Sequence, residues 1–168
     1  MPIIVNKIGE HRNQGAVENL IEYMSGSPFA RSSGGRGITS SFPRQVAEDF
    51  AFVKNMYDKN SRKQISHIII GTQEKEWIIE PELFGIAVSA AEYLYQKGFQ
   101  SYFVIHYGSY ENPDYLHLHL AVNTINYING TRYYETFGNS SELKNILEGI
   151  YNQYKWSLIN DKSLSWEA

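Results

Sequence analysis

Tyr102-Phe103-Val104-Ile105-His106-Tyr107 and Leu116-His117-Leu118-His119-Leu120-Ala121-Val122-Asn123-Thr124 decide the fold. Both stretches are rich in aromatic and branched residues, and the second alternates strictly. Side chains alternate across a strand, so His117 and His119 share one face, while Leu116, Leu118, Leu120 and Val122 share the other, which must be core. Eight residues, Gly108 to Tyr115, join the two. A connection that short makes an antiparallel pair, because a parallel one needs a crossover of a dozen residues or more.

Outward from this pair the pattern stays mixed. Ile65 to Gly71 is a β-branched run and reads as a buried strand, and Ile3 to Ile8 as a short first strand. Pro81 to Lys97 predicts a helix, with Pro81 suited to a first turn, Phe84, Val88, Ala91 and Tyr95 on one side, and Gly98 as the stop. Gly15 to Met24, Pro43 to Asp58 and Ser140 to Ile159 also carry helical periodicity. Asn129-Gly130 predicts a hairpin turn returning through Thr131 to Glu135. Ser25 to Gly37 is so rich in Gly and Ser that it reads as a mobile loop. The expected class is α+β: an antiparallel sheet with helices packed on it, in one domain covering residues 1–168.

Composition narrows the chemistry. The 168 residues, 42% hydrophobic and 20% charged, suffice for one packed core and exclude a disordered tail. There are no cysteines, which excludes disulfides, thiolate metal sites and a cysteine nucleophile. No secretory signal or bilayer-length apolar run is visible, so a cytoplasmic protein is expected. The net charge of −3 argues against a nonspecific nucleic-acid coat. Yet Arg31 to Lys63 holds seven basic residues against three acidic ones, and there are 13 tyrosines. A basic segment beside aromatic residues is what single-stranded nucleic acid requires, although a solvated helix face has the same composition.

Three of the five histidines fall in the two paired strands. If those strands pair through their loop, His106 comes beside His117 and His119. One histidine on a sheet face is structural by default, and an HxH pair alone is weak. Three neutral imidazoles converging are good ligands for a divalent metal, and three protein ligands leave positions for water or substrate.

At these residues the sequence resembles the third motif of plasmid mobilization relaxases, members of the HUH class of single-strand DNA endonucleases. His106, ten residues, His117-Leu118-His119, then an apolar run to Asn123 and a turn with Asn126 and Gly130, carry the resemblance, with Asp114 preceding the pair. Ser66-His67-Ile68-Ile69-Ile70 matches the family's upstream histidine strand, and Leu20-Ile21-Glu22-Tyr23-Met24-Ser25 its tyrosine helix. The resemblance runs from about residue 3 to 135. It implies site-specific nicking of one DNA strand at a transfer origin, a 5′-phosphotyrosyl intermediate, Mg2+ or Mn2+ on His106, His117 and His119, and relaxosome proteins as partners. Tyr23 is the expected nucleophile. His67 is a candidate base or an orienter of a ligand, with a satisfied core histidine as the alternative. Arg31, Arg36, Arg44 and Asn123 are candidate DNA contacts. Because many relaxases continue into a long C-terminal region, an end at Ala168 fits an excised catalytic domain or a small member. Related replication initiators and transposases place the tyrosine after the HxH strand, which would select Tyr151 or Tyr154. Tyr107, Tyr110 and Tyr115 are further candidates by proximity. A non-catalytic metal- or DNA-binding module and a metal-dependent small-molecule hydrolase are the competing classes.

Overall fold

The computed structural model describes residues 3–7, 15–71, 78–137 and 141–164, with side chains for 15–71, 78–137 and 141–153. Among the described residues, five strands and five helices follow in the order β1 (Ile3–Lys7), α1 (Ala16–Gly26), β2 (Ala30–Arg36), α2 (Pro43–Met56), β3 (Ile65–Gly71), α3 (Glu80–Gln96), β4 (Ser101–Tyr107), β5 (Leu116–Asn123), α4 (Tyr133–Phe137) and α5 (Ser141–Leu164). The strands form one sheet in the order β1-β3-β5-β4-β2, and every neighbouring pair is antiparallel. This is the α+β arrangement that the sequence predicts. Ile8, His11 and Ser140 lie outside the described residues.

β5 is central, and all eight of its residues are buried. Its even-numbered residues face α3 and α5. There Leu116, Leu118, Leu120 and Val122 join Ile68, Ile70, Phe103 and Ile105 in a core closed by Leu83, Ala87, Leu94 and Leu147. The opposite face is covered by α1 and α2. Leu20, Ile21, Met24, Val46 and Phe50 pack there on Ile65, Tyr102, Val104 and Ala121. The helices meet these faces because their apolar residues recur at three- and four-residue spacing.

Two expectations are corrected. The Gly/Ser-rich stretch is not a mobile loop through Gly37, because Ala30–Arg36 forms edge strand β2 on β4. Its glycines are there for close approach. A Cβ at Gly34 would overlap the Phe103 ring, and one at Gly35 would overlap the carbonyl oxygen of Ser101. A composition that reads as flexibility is here a steric requirement of the pairing. The second correction follows Asn129-Gly130. The turn forms, with Gly130 in the left-handed region (φ +72°) and a single bridge between Ile125 and Arg132. The chain then turns into α4 instead of a returning strand. Glu135 accepts the backbone N–H of Arg132 at the start of that helix, and Tyr133 and Phe137, four residues apart, bury together against Phe99. The helical spacing of two aromatic rings wins over the hairpin signal.

Candidate active site

The site grows out of strand register. Cα partners across the sheet place Gly71 opposite His117, His117 opposite His106, and His106 opposite Ala30 in one row. The next row holds Ile69, His119 and Val104. His106, His117 and His119 therefore emerge on one face, towards the C-terminal end of α1. One nitrogen from each lies within 4.8 Å of the others. The ring centroids are 4.3 Å (His106–His119), 4.9 Å (His117–His119) and 5.2 Å (His106–His117) apart.

Each imidazole is held from its outer side. His106 donates from Nε2 to the Met24 carbonyl oxygen at 2.7 Å, and His117 donates from Nδ1 to the Tyr115 carbonyl oxygen at 3.2 Å. A carbonyl only accepts, so each bond fixes the tautomer and leaves a lone pair on the other ring nitrogen. His119 Nδ1 lies 2.9 Å from His67 Nε2, and these two rings stack at 5.1 Å. Burial favours the neutral form of His106 and His117. It lowers the pKa of His117 to about 4, with His106 adding a smaller push in the same direction and the Tyr115 carbonyl opposing it. His106 is lowered by burial as well, and by the positive charge of Arg31, against the opposing effect of the Met24 carbonyl. Three clustered imidazoles that each offer one nitrogen could hold a divalent cation, and three protein ligands leave further coordination positions for water or substrate.

Tyr23 stands over this cluster. It sits in the last turns of α1, 56% exposed, with its ring edge-on to His119 at 5.7 Å and to His67 at 6.5 Å. The apolar stripe of α1 explains the placement. Val17, Leu20, Ile21 and Met24 are buried, so Tyr23 lies at the margin of the stripe and stays more than half exposed. The bond from His106 to the Met24 carbonyl ties this turn to the imidazoles.

The other sequence candidates scatter. Arg31 is exposed at the start of β2, with its guanidinium donating to the carbonyls of Pro28 and Ala30. Arg36, at the far end of that strand, pairs with Glu92 at 3.0 Å, and Arg44 pairs with Glu48 one turn along α2 at 3.1 Å. Asn123 is not at a surface: it is fully buried, and its amide donates to the Phe50 carbonyl and to Gln100 Oε1. It fastens the end of β5 to α2, a task that an Asn at a strand end performs without any ligand. Tyr151 is buried in the core on the opposite sheet face, and the side chain of Tyr154 lies outside the described residues. Tyr107 and Tyr110 are exposed. Two supporting contacts escape the sequence reading, which names Tyr115 only as a candidate nucleophile. The Met24 carbonyl carries no side-chain signal. Tyr115 does, because it continues the every-second-residue series of His117 and His119, and its ring stacks on His117 at 4.5 Å.

An antiparallel sheet flanked by helices thus carries three buried histidines that could hold a metal, beside an exposed tyrosine. The family model for relaxases, described as the MobA/VirD2-like nuclease domain, matches residues 26–156. The chain belongs to this relaxase family, and the matched part is its nuclease domain. The match includes His67 and all three clustered histidines and begins just after Tyr23. No curated protein matches the chain. Among the described residues no helix is long and apolar enough to cross a membrane.

Proposed function

We propose that this domain nicks one strand of DNA at a transfer origin by transesterification to Tyr23, opening the strand for mobilization of a plasmid or conjugative element. The observation that carries this reading is the position of Tyr23: an exposed phenol edge-on to His119, on the helix turn whose Met24 carbonyl holds His106. His106, His117 and His119 would hold a divalent ion, Mg2+ or Mn2+. Such an ion, when bound, supplies Lewis-acid polarisation of the scissile phosphate.

The chain's own residues do the rest. The Tyr23 hydroxyl oxygen attacks phosphorus and forms a P–O bond as the bond to the 3′ oxygen breaks. The phenolic proton is lost, and the departing 3′ oxygen ends as a free hydroxyl. The 5′ phosphate stays on Tyr23, so the reverse reaction can reseal a strand. His67 acts as a positioning residue, because its Nε2 is already engaged with His119 Nδ1. Arg31, exposed at the strand start whose neighbour faces His106, is the basic residue best placed for a phosphate. Arg36 and Arg44 are each paired with a carboxylate and lie further from the histidines. Single-stranded DNA is the substrate, and accessory relaxosome proteins are the expected partners.

The test is a nicking assay on a labelled oligonucleotide spanning the transfer origin, with and without Mg2+ or Mn2+. A metal-dependent covalent adduct on a denaturing gel, absent in Tyr23→Phe, is expected. An adduct that persists in Tyr23→Phe overturns the assignment.

A further inference from the structure

Each clustered histidine has a different holder. A helix carbonyl holds His106 and another histidine holds His119. His117 is held by a single residue at two places. The Tyr115 carbonyl accepts its Nδ1–H at 3.2 Å, and the Tyr115 ring lies flat on its imidazole, 4.5 Å away and 15° from parallel. The far end of Tyr115 explains a third feature. Its hydroxyl occupies the place where a Cβ of residue 71 would stand, and residue 71 is Gly, the strand neighbour of His117 on β3.

We propose that Tyr115 is a positioning residue for the metal centre, clamping the His117 ring in its ligating orientation, and that Gly71 is the notch that admits the clamp. The proposal rests on the reading that the three histidines hold a metal. His117 needs such a device more than its partners. It is the least buried of the three, at 7% exposure, and it is the second residue of β5. With glycine as its directly paired residue, β3 offers no side chain opposite the ring. A histidine ring has a broad second torsion, so an imidazole without a packed face samples several orientations, only some of which aim a lone pair at the metal. Stacking on Tyr115 removes that freedom, and the carbonyl bond selects the tautomer. Outer partners of this kind change metal affinity by about ten- to a hundredfold when they are removed.

The experiment is calorimetric titration of the whole chain with Mn2+, beside thermal unfolding of the metal-free protein. Tyr115→Ala is expected to weaken Mn2+ binding about tenfold. Tyr115→Phe, which keeps the stacked ring, should stay within about twofold of the parent. Gly71→Ala changes neither a ligand nor the clamp residue but pushes the hydroxyl away, so it should weaken binding as Tyr115→Ala does. Adding Tyr115→Phe to Gly71→Ala removes the overlapping oxygen and should restore part of the affinity. A merely structural role would lower the unfolding temperature of all three single variants and show no such suppression. Retained adduct formation by Tyr115→Phe separates positioning from nucleophilic attack by Tyr115. If the parent binds Mn2+ and Tyr115→Ala binds it equally well, the clamp is overturned while the metal site stands. If the parent binds no Mn2+, both fall together.

Discussion

The two faces of the sheet use the same strands for opposite purposes. Towards α3 and α5, β5 presents Leu116, Leu118, Leu120 and Val122, and β4 presents Phe103 and Ile105, all fully or nearly fully buried. Towards α1 and α2, the intervening residues begin in the same manner, with Ile65, Tyr102, Val104 and Ala121 in an apolar cluster. Nearer the end of α1 that face becomes His67, His106, His117 and His119, buried but polar. One face spends its area on stability. The other accepts desolvated imidazoles, which stabilise the fold little and acquire their value when a ligand arrives. A one-residue change of register would exchange the two faces, so the alternation of β5 specifies both.

The sharpest way to break this contrast is to delete one buried side chain from each face. Phe103→Ala on the packed face should cost about 3–5 kcal/mol, a large share of the stability of a domain this size. Denaturant unfolding would measure it. His117→Ala on the other face should cost about 1 kcal/mol or less, since the lost packing is offset by one fewer desolvated polar ring. Its large effect should appear in Mn2+ titration, where a lost ligand removes measurable binding. Equal destabilisation by the two changes would erase the distinction.

His67→Ala probes the outer shell of the same face. Loss of the partner of His119 Nδ1 should weaken Mn2+ binding about tenfold, with a metal-free unfolding midpoint near that of the parent. His67→Asn, which can still offer a side-chain hydrogen bond, should recover part of it.

The smallest effect is on pH dependence. His117 is held near 4 in the folded chain and has an ordinary value of about 6.5 when unfolded. Between those values the unfolded chain binds a proton that the folded chain excludes. Metal-free stability should therefore fall as the pH drops from about 6.5 towards 4, and should be insensitive to this group above 6.5. Tyr133 on the packed face adds no such slope, since a phenol, pushed up by burial to about 12, stays neutral over this range. Denaturation at pH 7 and pH 5 should show a smaller difference for His117→Ala than for the parent. An unchanged difference would place the pH sensitivity elsewhere.

Legibility in the sequence followed the same division. The packed face and the triad could be read because a two-residue alternation with leucines on one side leaves only one place for His117 and His119. The extent of helix α3 was equally plain from Pro81 and Gly98, but its buried stripe is Leu83, Ile86, Ala87, Ala90, Ala91 and Leu94, while Phe84, Val88 and Tyr95 are only partly buried. Strand β2 was hidden because its glycines answer to Phe103 and Ser101, residues some 70 positions away in the chain. Asn123 answers to remote residues in the same way: its partners, Phe50 and Gln100, meet it only after folding. The support from Met24 is a backbone carbonyl and leaves no trace in residue type. Tyr115 stands out in the sequence only by its closeness to the histidines and not as a stacked partner, since stacking depends on the gap at Gly71.

The most direct measurement is to isolate the covalent protein–DNA adduct, formed in Mn2+ on an oligonucleotide carrying the transfer origin, and to map the modified residue by mass spectrometry. A 5′-phosphonucleotide on Tyr23, with no adduct from Tyr23→Phe or from metal-free protein, is the predicted result. The same modification on Tyr107, Tyr110, Tyr115, Tyr151 or Tyr154, or an undiminished adduct in Tyr23→Phe, would contradict the placement of the chemistry on the α1 side of the sheet at Tyr23.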